Sequence, residues 1–323
     1  MTTPRMRVAA RVGVVIYALV TVGCGGSDNG TVTSLPTPTP KPPASSDFSL
    51  PLALEMGRLS LQAYQALADF DDGQSFTLPA PYTLVQELFT TEGFEGEGVT
   101  TAVPIAFIAT SGTNVYVVFR GTKTIAEWIL DAQIGQVPYS FVSDGGMTEQ
   151  GFTRVYDSIH AQIVQTVNAV AQNGTFTQLY ITGHSLGAAL ALLAVPELID
   201  QTPFKQPIMY SFAGPFTGND RFVELYESLI ATSWRVVNTN DVVPKLPTSP
   251  VVIVSPPAIF FYESVNTEYP ITFGNPVTDP LDIKDIEDDH SLCNYYNTLC
   301  AQTTDPATCK AMADGADGCN VAP

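Results

Sequence analysis

Positive charge is scarce in this chain: 14 Lys and Arg stand against 32 Asp and Glu, a formal net charge of −18. Such a surface repels phosphates, which excludes nucleic acid as a partner. It also excludes electrostatic docking on anionic lipid, so any membrane contact has to use apolar surface or a covalent anchor. Histidine is scarcer still, with His160, His184 and His290 making the whole set of three. The sequence has no His-rich metal motif, no phosphate loop, no dinucleotide fingerprint and no internal repeat, and it implies neither a cofactor nor a metal. The N-terminal apolar run Val12 to Val22 is too short to span a bilayer as a mature helix.

That run follows Arg5, Arg7 and Arg11 and has the length of a signal h-region. It ends at Gly23-Cys24, which resembles the lipobox of bacterial lipoproteins, with Thr21 departing from the usual leucine. The expectation is a signal peptide over 1–23 and a lipidated Cys24, with plain secretion as the alternative. Residues 24–46 read as a linker rich in Gly, Ser, Thr and Pro. Its segment Thr37-Pro38-Thr39-Pro40-Lys41-Pro42-Pro43 favours extended polyproline II. At about 3 Å per residue such a linker reaches up to about 60 Å from a membrane. Residues 47–323 then suit one α/β domain.

Within that domain, apolar strands at Val115 to Phe119 and Leu179 to Ile181 alternate with helical stretches at 51–70, 152–171, 188–199 and 219–230. The alternation predicts a mostly parallel central sheet flanked by helices. Between the second strand and its helix lies Gly183-His184-Ser185-Leu186-Gly187. Strand, Gly-x-Ser-x-Gly turn and helix in that order form the context of a nucleophile elbow. The glycines permit the sharp turn, and the helix aims its first amides at developing negative charge.

A serine nucleophile needs a base within hydrogen-bond reach, and imidazole is the usual one. His184 adjoins Ser185 on the elbow, so its side chain is expected to pack or hydrogen-bond beneath the turn. His160 lies in Val155 to Val170, an amphipathic helical stretch, and reads as a solvated or half-buried helix histidine. His290 remains, and it follows the serine. That order resembles the α/β-hydrolases, where the acid lies between nucleophile and base. Asp200, Asp220, Asp241, Asp279, Asp282, Asp285, Asp288 and Asp289 qualify by position. Asp241 comes just past the β-rich segment Trp234 to Asn238, which places a carboxylate at the sheet rim. Asp288 and Asp289 are too close in sequence to His290 to orient it. The expected set is therefore Ser185, Asp241 and His290, with the backbone N–H of Leu186 as one oxyanion donor.

These residues resemble the class 3 lipases, the fungal-type triacylglycerol lipase family, and other segments agree in order over roughly residues 50 to 300. Val117-Val118-Phe119-Arg120-Gly121-Thr122 is similar to the family's strand ending in Arg-Gly-Ser/Thr, which implies Thr122 as the second oxyanion donor. Glu127-Trp128-Ile129-Leu130-Asp131 is similar to its lid segment, and Asp131 matches the aspartate that supports the oxyanion hydroxyl. Gly151-Phe152 resembles the pair that opens the next helix. Val237-Asn238-Thr239-Asn240-Asp241-Val242-Val243-Pro244-Lys245-Leu246-Pro247 is similar to Val-Asn-x-x-Asp-x-Val-Pro-x-Leu-Pro. Asp289-His290-Ser291-Leu292 with Tyr295 resembles an Asp-His-x-x-Tyr ending. Leu59 to Tyr64 resembles a helix carrying a pocket tyrosine, Tyr64. Departures are Ala213 before Gly214-Pro215, Phe216 where arginine is common, and Lys123 after Thr122.

The resemblance implies an α/β-hydrolase fold and an exported serine hydrolase of lipid esters, foremost a triacylglycerol lipase. Feruloyl or other carboxylesterases and phospholipases on the same scaffold are the alternatives, and a non-catalytic anchored binding module is a further one. Ile125, Trp128 and Ile129 fall on one face of a short helix, expected to cover Ser185 in water and open on a lipid surface. Cys293, Cys300, Cys309 and Cys319 suggest two disulfides in an exported chain, with three pairings open. A zinc site is the rival reading of the four. The acidic run Asp282 to Asp289 reads as a solvated loop, with calcium binding as its alternative.

Overall fold

Side chains of the central strands alternate between two apolar cores, so helices cover both faces of the sheet. The structure is a computed structural model and describes residues 47–91, 101–122, 135–254, 257–265, 267–275, 283–313 and 319. The chain divides into two units, 1–41 and 42–323, and every described residue lies in the second. The signal peptide, Cys24 and the linker, and the lid segment with Trp128 and Asp131, lie outside the described residues.

Helix α1 (Leu50–Asp71) opens where expected: the Ser49 hydroxyl accepts the Leu52 N–H, and Pro51 sits in the first turn. Strands β1 (Thr83–Thr90), β2 (Val103–Ser111) and β3 (Asn114–Phe119) form antiparallel pairs. A short ribbon follows, β4 (Gln136–Pro138) with β5 (Met147–Glu149). After helices α2 (Gln150–Asp157) and α3 (His160–Asn173) the chain alternates. The order is β6 (Gln178–His184), α4 (Leu186–Gln201), β7 (Ile208–Phe212), α5 (Asp220–Leu229) and β8 (Thr232–Asn238). A hairpin of β9 (Val251–Val254) and β10 (Pro257–Phe260) precedes β11 (Thr267–Ile271). Helices α6 (Ile283–His290), α7 (Leu292–Cys300) and α8 (Pro306–Ala311) close the described chain.

The main sheet runs β1-β2-β3-β6-β7-β8-β11, and from β3 onward every neighbouring pair is parallel. This is the mostly parallel α/β sheet that the sequence predicts. Val115, Val117, Phe119, Leu179, Ile181 and Met209 face the core shared with α2 to α5. Tyr116, Val118, Tyr210 and Phe212 face the core shared with α1 and α7. Helix α4 is buried from Leu186 through Ile199 on every side, which its Ala- and Leu-rich sequence permits. Among the described residues no helix is long and apolar enough to cross a membrane.

Two sequence expectations need correction. The helical stretch 152–171 is two helices, α2 and α3, because the chain breaks at Ser158-Ile159. The Ser158 hydroxyl donates to the Val155 carbonyl at 2.7 Å, a local bond that competes with helix continuation. The acidic run expected as a loop is largely helix α6. Ile286 and Asp289, three apart, are both buried, and Lys284 pairs with Asp288 at 2.6 Å one turn on. The cysteines form Cys293–Cys319 and Cys300–Cys309, which leaves none of the four as a thiolate for zinc. Both bridges start on α7.

Glu149 caps α2 by accepting the Phe152 N–H at 2.6 Å, yet its other oxygen is buried without a hydrogen bond. Burial pushes this carboxyl up to about 7, and the Phe152 and Gly151 amides and the Arg154 charge pull it only part way back. The folded value lies above the unfolded one of 4.5, so folding takes up a proton between them. The contribution of the neutral carboxyl is therefore complete below about 4.5 and is lost as pH rises through about 7. Denaturant unfolding at pH 5 and pH 8 checks this. The wild-type protein is expected to lose stability across the interval, and Glu149→Gln, which keeps an acceptor for Phe152, is expected to flatten the slope. An unchanged slope in the variant would remove Glu149 as its source.

Candidate active site

Strand β6 delivers Ser185 at the C-terminal edge of the sheet, and α4 begins at the next residue. Ser185 holds φ 57° and ψ −125°, a strained conformation for a non-glycine residue. Its N–H is tied to the Phe212 carbonyl at 3.0 Å, so the neighbouring strand holds the strain in place. A Cβ on Gly183 would strike the Gly187 backbone, and one on Gly187 would strike the Phe119 carbonyl. The two glycines are thus required by close backbone packing of β3, β6 and α4 as well as by the turn. Ala213, at the departure from the family pattern, also has positive φ, 52°.

His290 ends α6, and Asp241 lies in the turn beyond β8. The structure brings them together: His290 Nδ1 is 2.8 Å from Asp241 Oδ2, with both side chains buried. Asp241 Oδ2 also accepts the Tyr295 hydroxyl at 2.8 Å, and Oδ1 accepts the Val243 N–H at 2.9 Å. A carboxylate on Nδ1 fixes the tautomer in which Nε2 carries the lone pair. That Nε2 is buried and has no hydrogen-bond partner.

His184 does pack and bond beneath the turn. A carbonyl only accepts, so Nε2 donates to the His290 carbonyl at 2.8 Å, and Nδ1 accepts the Tyr64 hydroxyl at 2.7 Å. Burial, followed by the neighbouring His290, holds the His184 imidazole well below its ordinary range, so it stays neutral. The Tyr64 hydroxyl thereby bonds His184 while lying against Gly121. His160 does not join the group. Its Nδ1 lies 2.8 Å from Glu197 Oε1, as part of a separate cluster with Tyr156 and Phe141.

At the exit of β3, a Cβ on Gly121 would lie 3.1 Å from Ser185 Cβ, so this segment runs against the elbow. Arg120 fixes it, donating to the Pro104 carbonyl at 2.9 Å and the Gly121 carbonyl at 2.5 Å. Thr122 Oγ1 is buried and without a hydrogen bond. Leu186 opens α4, and the first amides of a helix have no acceptor within it. Such donors can stabilise an oxyanion.

Sequence reasoning gave no task to Asn238, Tyr295 or Arg235. Asn238 donates its N–H to the Tyr295 hydroxyl at 2.8 Å and its amide to the Asp289 carbonyl at 3.0 Å, binding the end of β8 to α6 and α7. Arg235, buried in β8, donates to the Gly214 and Pro244 carbonyls, both at 3.2 Å, and so steadies the loops on either side of Asp241. Phe216, the residue found where arginine is common, lies under the Arg235 guanidinium, 6.0 Å from ring centroid to Cζ. The only available signal was the spacing of Asn238 and Tyr295 from Asp241 and His290. Asp289 adds a second buried carboxyl, pushed up to about 6 by burial and then by the Asp241 charge.

Tyr295→Phe tests the orienting network. It leaves the Asn238 N–H unpaired and removes one donor from Asp241, so stability is expected to fall by about 1–3 kcal/mol. If the site hydrolyses esters, turnover of a soluble ester is expected to fall about tenfold with KM unchanged, because geometry and not ground-state binding is disturbed. Steady-state kinetics beside thermal unfolding checks both, and unchanged turnover in a folded variant would remove Tyr295 from the site.

Residues 116–250 match the family described as lipase (class 3). The chain is 33% identical over 203 residues to the secreted mono- and diacylglycerol lipase A of Penicillium cyclopium, covering 62% of each chain. It is 31% identical over 180 residues to a lipase of Rhizomucor miehei, covering 55% of this chain and 47% of that one. The matches thus span about half to three-fifths of these relatives' own lengths. The crystal structure of a fungal lipase superposes with a TM-score of 0.58 at 23% identity, over 77% of this chain and 97% of that one, which shows the shared fold. Over residues 116–250 the chain is similar to the class 3 lipase family.

Proposed function

We propose that this protein is an exported serine hydrolase that cleaves carboxylic esters of lipids, foremost acylglycerols, through an acyl-enzyme. The observation that carries the reading is the buried His290–Asp241 pair, whose Nε2 is left without a hydrogen-bond partner and whose ring lies 4.7 Å from that of His184, the residue preceding the strained elbow serine. In this reading His290 Nε2 takes the Ser185 proton as Oγ attacks the ester carbonyl. Asp241 holds the tautomer and stabilises the imidazolium. The Thr122 hydroxyl and the Leu186 N–H receive the oxyanion, and loss of one such donor typically costs about 3 kcal/mol in the barrier. Collapse expels the alcohol, which takes the proton from His290, and water then hydrolyses the acyl-enzyme by the same groups. The name of the Penicillium cyclopium relative, a secreted mono- and diacylglycerol lipase, supports both the lipid ester and the export. Cys24 is proposed as a lipid anchor for the exported chain, on its lipobox-like sequence.

A p-nitrophenyl ester series from C2 to C16, run with the wild-type protein and Ser185→Ala, tests this. Activity rising toward long chains and reduced roughly 10⁴- to 10⁶-fold in the variant is expected. Activity confined to short chains would replace the lipase reading by an esterase, with feruloyl esters tried next. No serine-dependent turnover on any chain would overturn the hydrolase reading.

A further inference from the structure

The β9–β10 hairpin breaks the usual rule for a two-stranded ribbon at a protein surface. Such ribbons alternate, apolar inward and polar outward. In register, Val252 lies opposite Ile259, and both point outward, 62% and 59% exposed. Phe261, two residues beyond Ile259, is 60% exposed, while Val251 and Tyr262 are buried. The outward face is therefore as apolar as the inward one. Half of the large exposed apolar side chains among the described residues, three of six, lie on this hairpin and the residue that follows it. Residues 246–262 contain no Asp, Glu, Lys, Arg or His, in a chain of net charge −18.

The hairpin is fixed at the edge of the sheet that carries Ser185. It continues from the Asp241 turn, whose outgoing Leu246 carbonyl accepts the Phe216 N–H at 2.7 Å. The Ser249 hydroxyl accepts the Tyr262 N–H at 3.0 Å, and Glu263 N–H bonds the Gly218 carbonyl at 2.9 Å. Gln136 of β4 donates to the Phe261 carbonyl at 2.7 Å. Both ends of the ribbon are thus held on the loops beyond β7 and β8, on the edge where β6 delivers the elbow.

We propose that Val252, Ile259 and Phe261 form a docking surface for an electrically neutral acylglycerol interface, seating the sheet edge of Ser185 on the lipid. The proposal rests on the lipid-ester reading above and names the physical form of that substrate. Three side chains cannot supply the roughly 800 Å² per partner of a stable protein interface. A lipid surface needs no such matched area, since each inserted side chain gains its burial separately. The charge balance selects the kind of lipid: an anionic surface repels this chain, whereas a neutral one does not.

The test uses the full chain carrying Cys24→Ala, so that no acyl anchor is attached. Flotation with triolein droplets coated in phosphatidylcholine, in the Ser185→Ala background, reads docking without hydrolysis. The triple variant Val252→Gln, Ile259→Gln, Phe261→Gln is expected to bind about 10- to 100-fold more weakly. Binding of the parent is expected to survive 1 M NaCl and to weaken when phosphatidylglycerol replaces the neutral lipid. With Ser185 present, the triple variant is expected to lose a similar factor on dilute triolein emulsion and nothing on soluble p-nitrophenyl butyrate. Unchanged flotation, tighter binding to anionic droplets, or an equal loss on the soluble ester would each overturn the proposal. A changed mass in size-exclusion chromatography with unchanged flotation would overturn it in favour of a second copy. If the wild-type protein hydrolyses no ester, the hydrolase reading fails, and flotation alone decides the docking surface.

Discussion

The Asp241 carboxylate is the point on which the site depends, because it joins elements that are far apart in the chain. One oxygen receives His290 and Tyr295, and the other receives the Val243 amide of its own turn. Asp241 hangs from β8, His290 ends α6, and Tyr295 lies in α7. The carboxylate therefore fixes helix to sheet as well as imidazole to carboxylate. Asn238 repeats the connection one turn earlier, bonding Tyr295 through its backbone and Asp289 through its side chain. The disulfides act on the same helix, since Cys293 and Cys300 lie on α7 on either side of Tyr295. Their effect on the site is indirect: they restrain the helix that supplies the hydroxyl, and no sulfur enters the chemistry.

Strain at the elbow follows from the packing around it. Ser185 is held in a conformation that costs of order 1–3 kcal/mol, and such strain persists only where the surroundings over-determine it. Here α4 is buried along its first fourteen residues and β6 is paired on both sides. Relaxing the serine would mean moving a helix locked in the core. The same close approach explains why Gly183 and Gly187 have no Cβ, as each would collide with backbone.

Legibility in the sequence followed the range of the interactions. The parallel strands, α1 and α4, and the elbow were readable because each rests on a local pattern: alternation, a cap, or a turn between strand and helix. Asp241 was readable because a strand end followed by a carboxylate is also local. The break at Ser158 was not, because its cause is a single hydroxyl bonding a carbonyl three residues back inside an otherwise helical pattern. Helix α6 was hidden by composition: its acidic run suggests a loop, and only the burial of Ile286 and Asp289 against the fold makes it a helix. Cysteine pairing and the tasks of Asn238, Arg235 and Tyr295 depend on long-range placement, which one sequence does not contain.

His184 shows why a histidine next to the proposed nucleophile is compatible with a second histidine as the proposed base. The two imidazole rings lie 4.7 Å apart, centroid to centroid. At an effective dielectric of about 20, two charges at that separation repel by roughly 3–4 kcal/mol. Only one ring can therefore take a proton readily. Which one is decided by surroundings: His184 has no carboxylate partner, spends one nitrogen on a carbonyl and accepts from Tyr64 at the other. Its burial holds it neutral. His290 has Asp241 on Nδ1 and no hydrogen-bond partner at Nε2. The bond from His184 to the His290 carbonyl then positions the proposed base without competing with it.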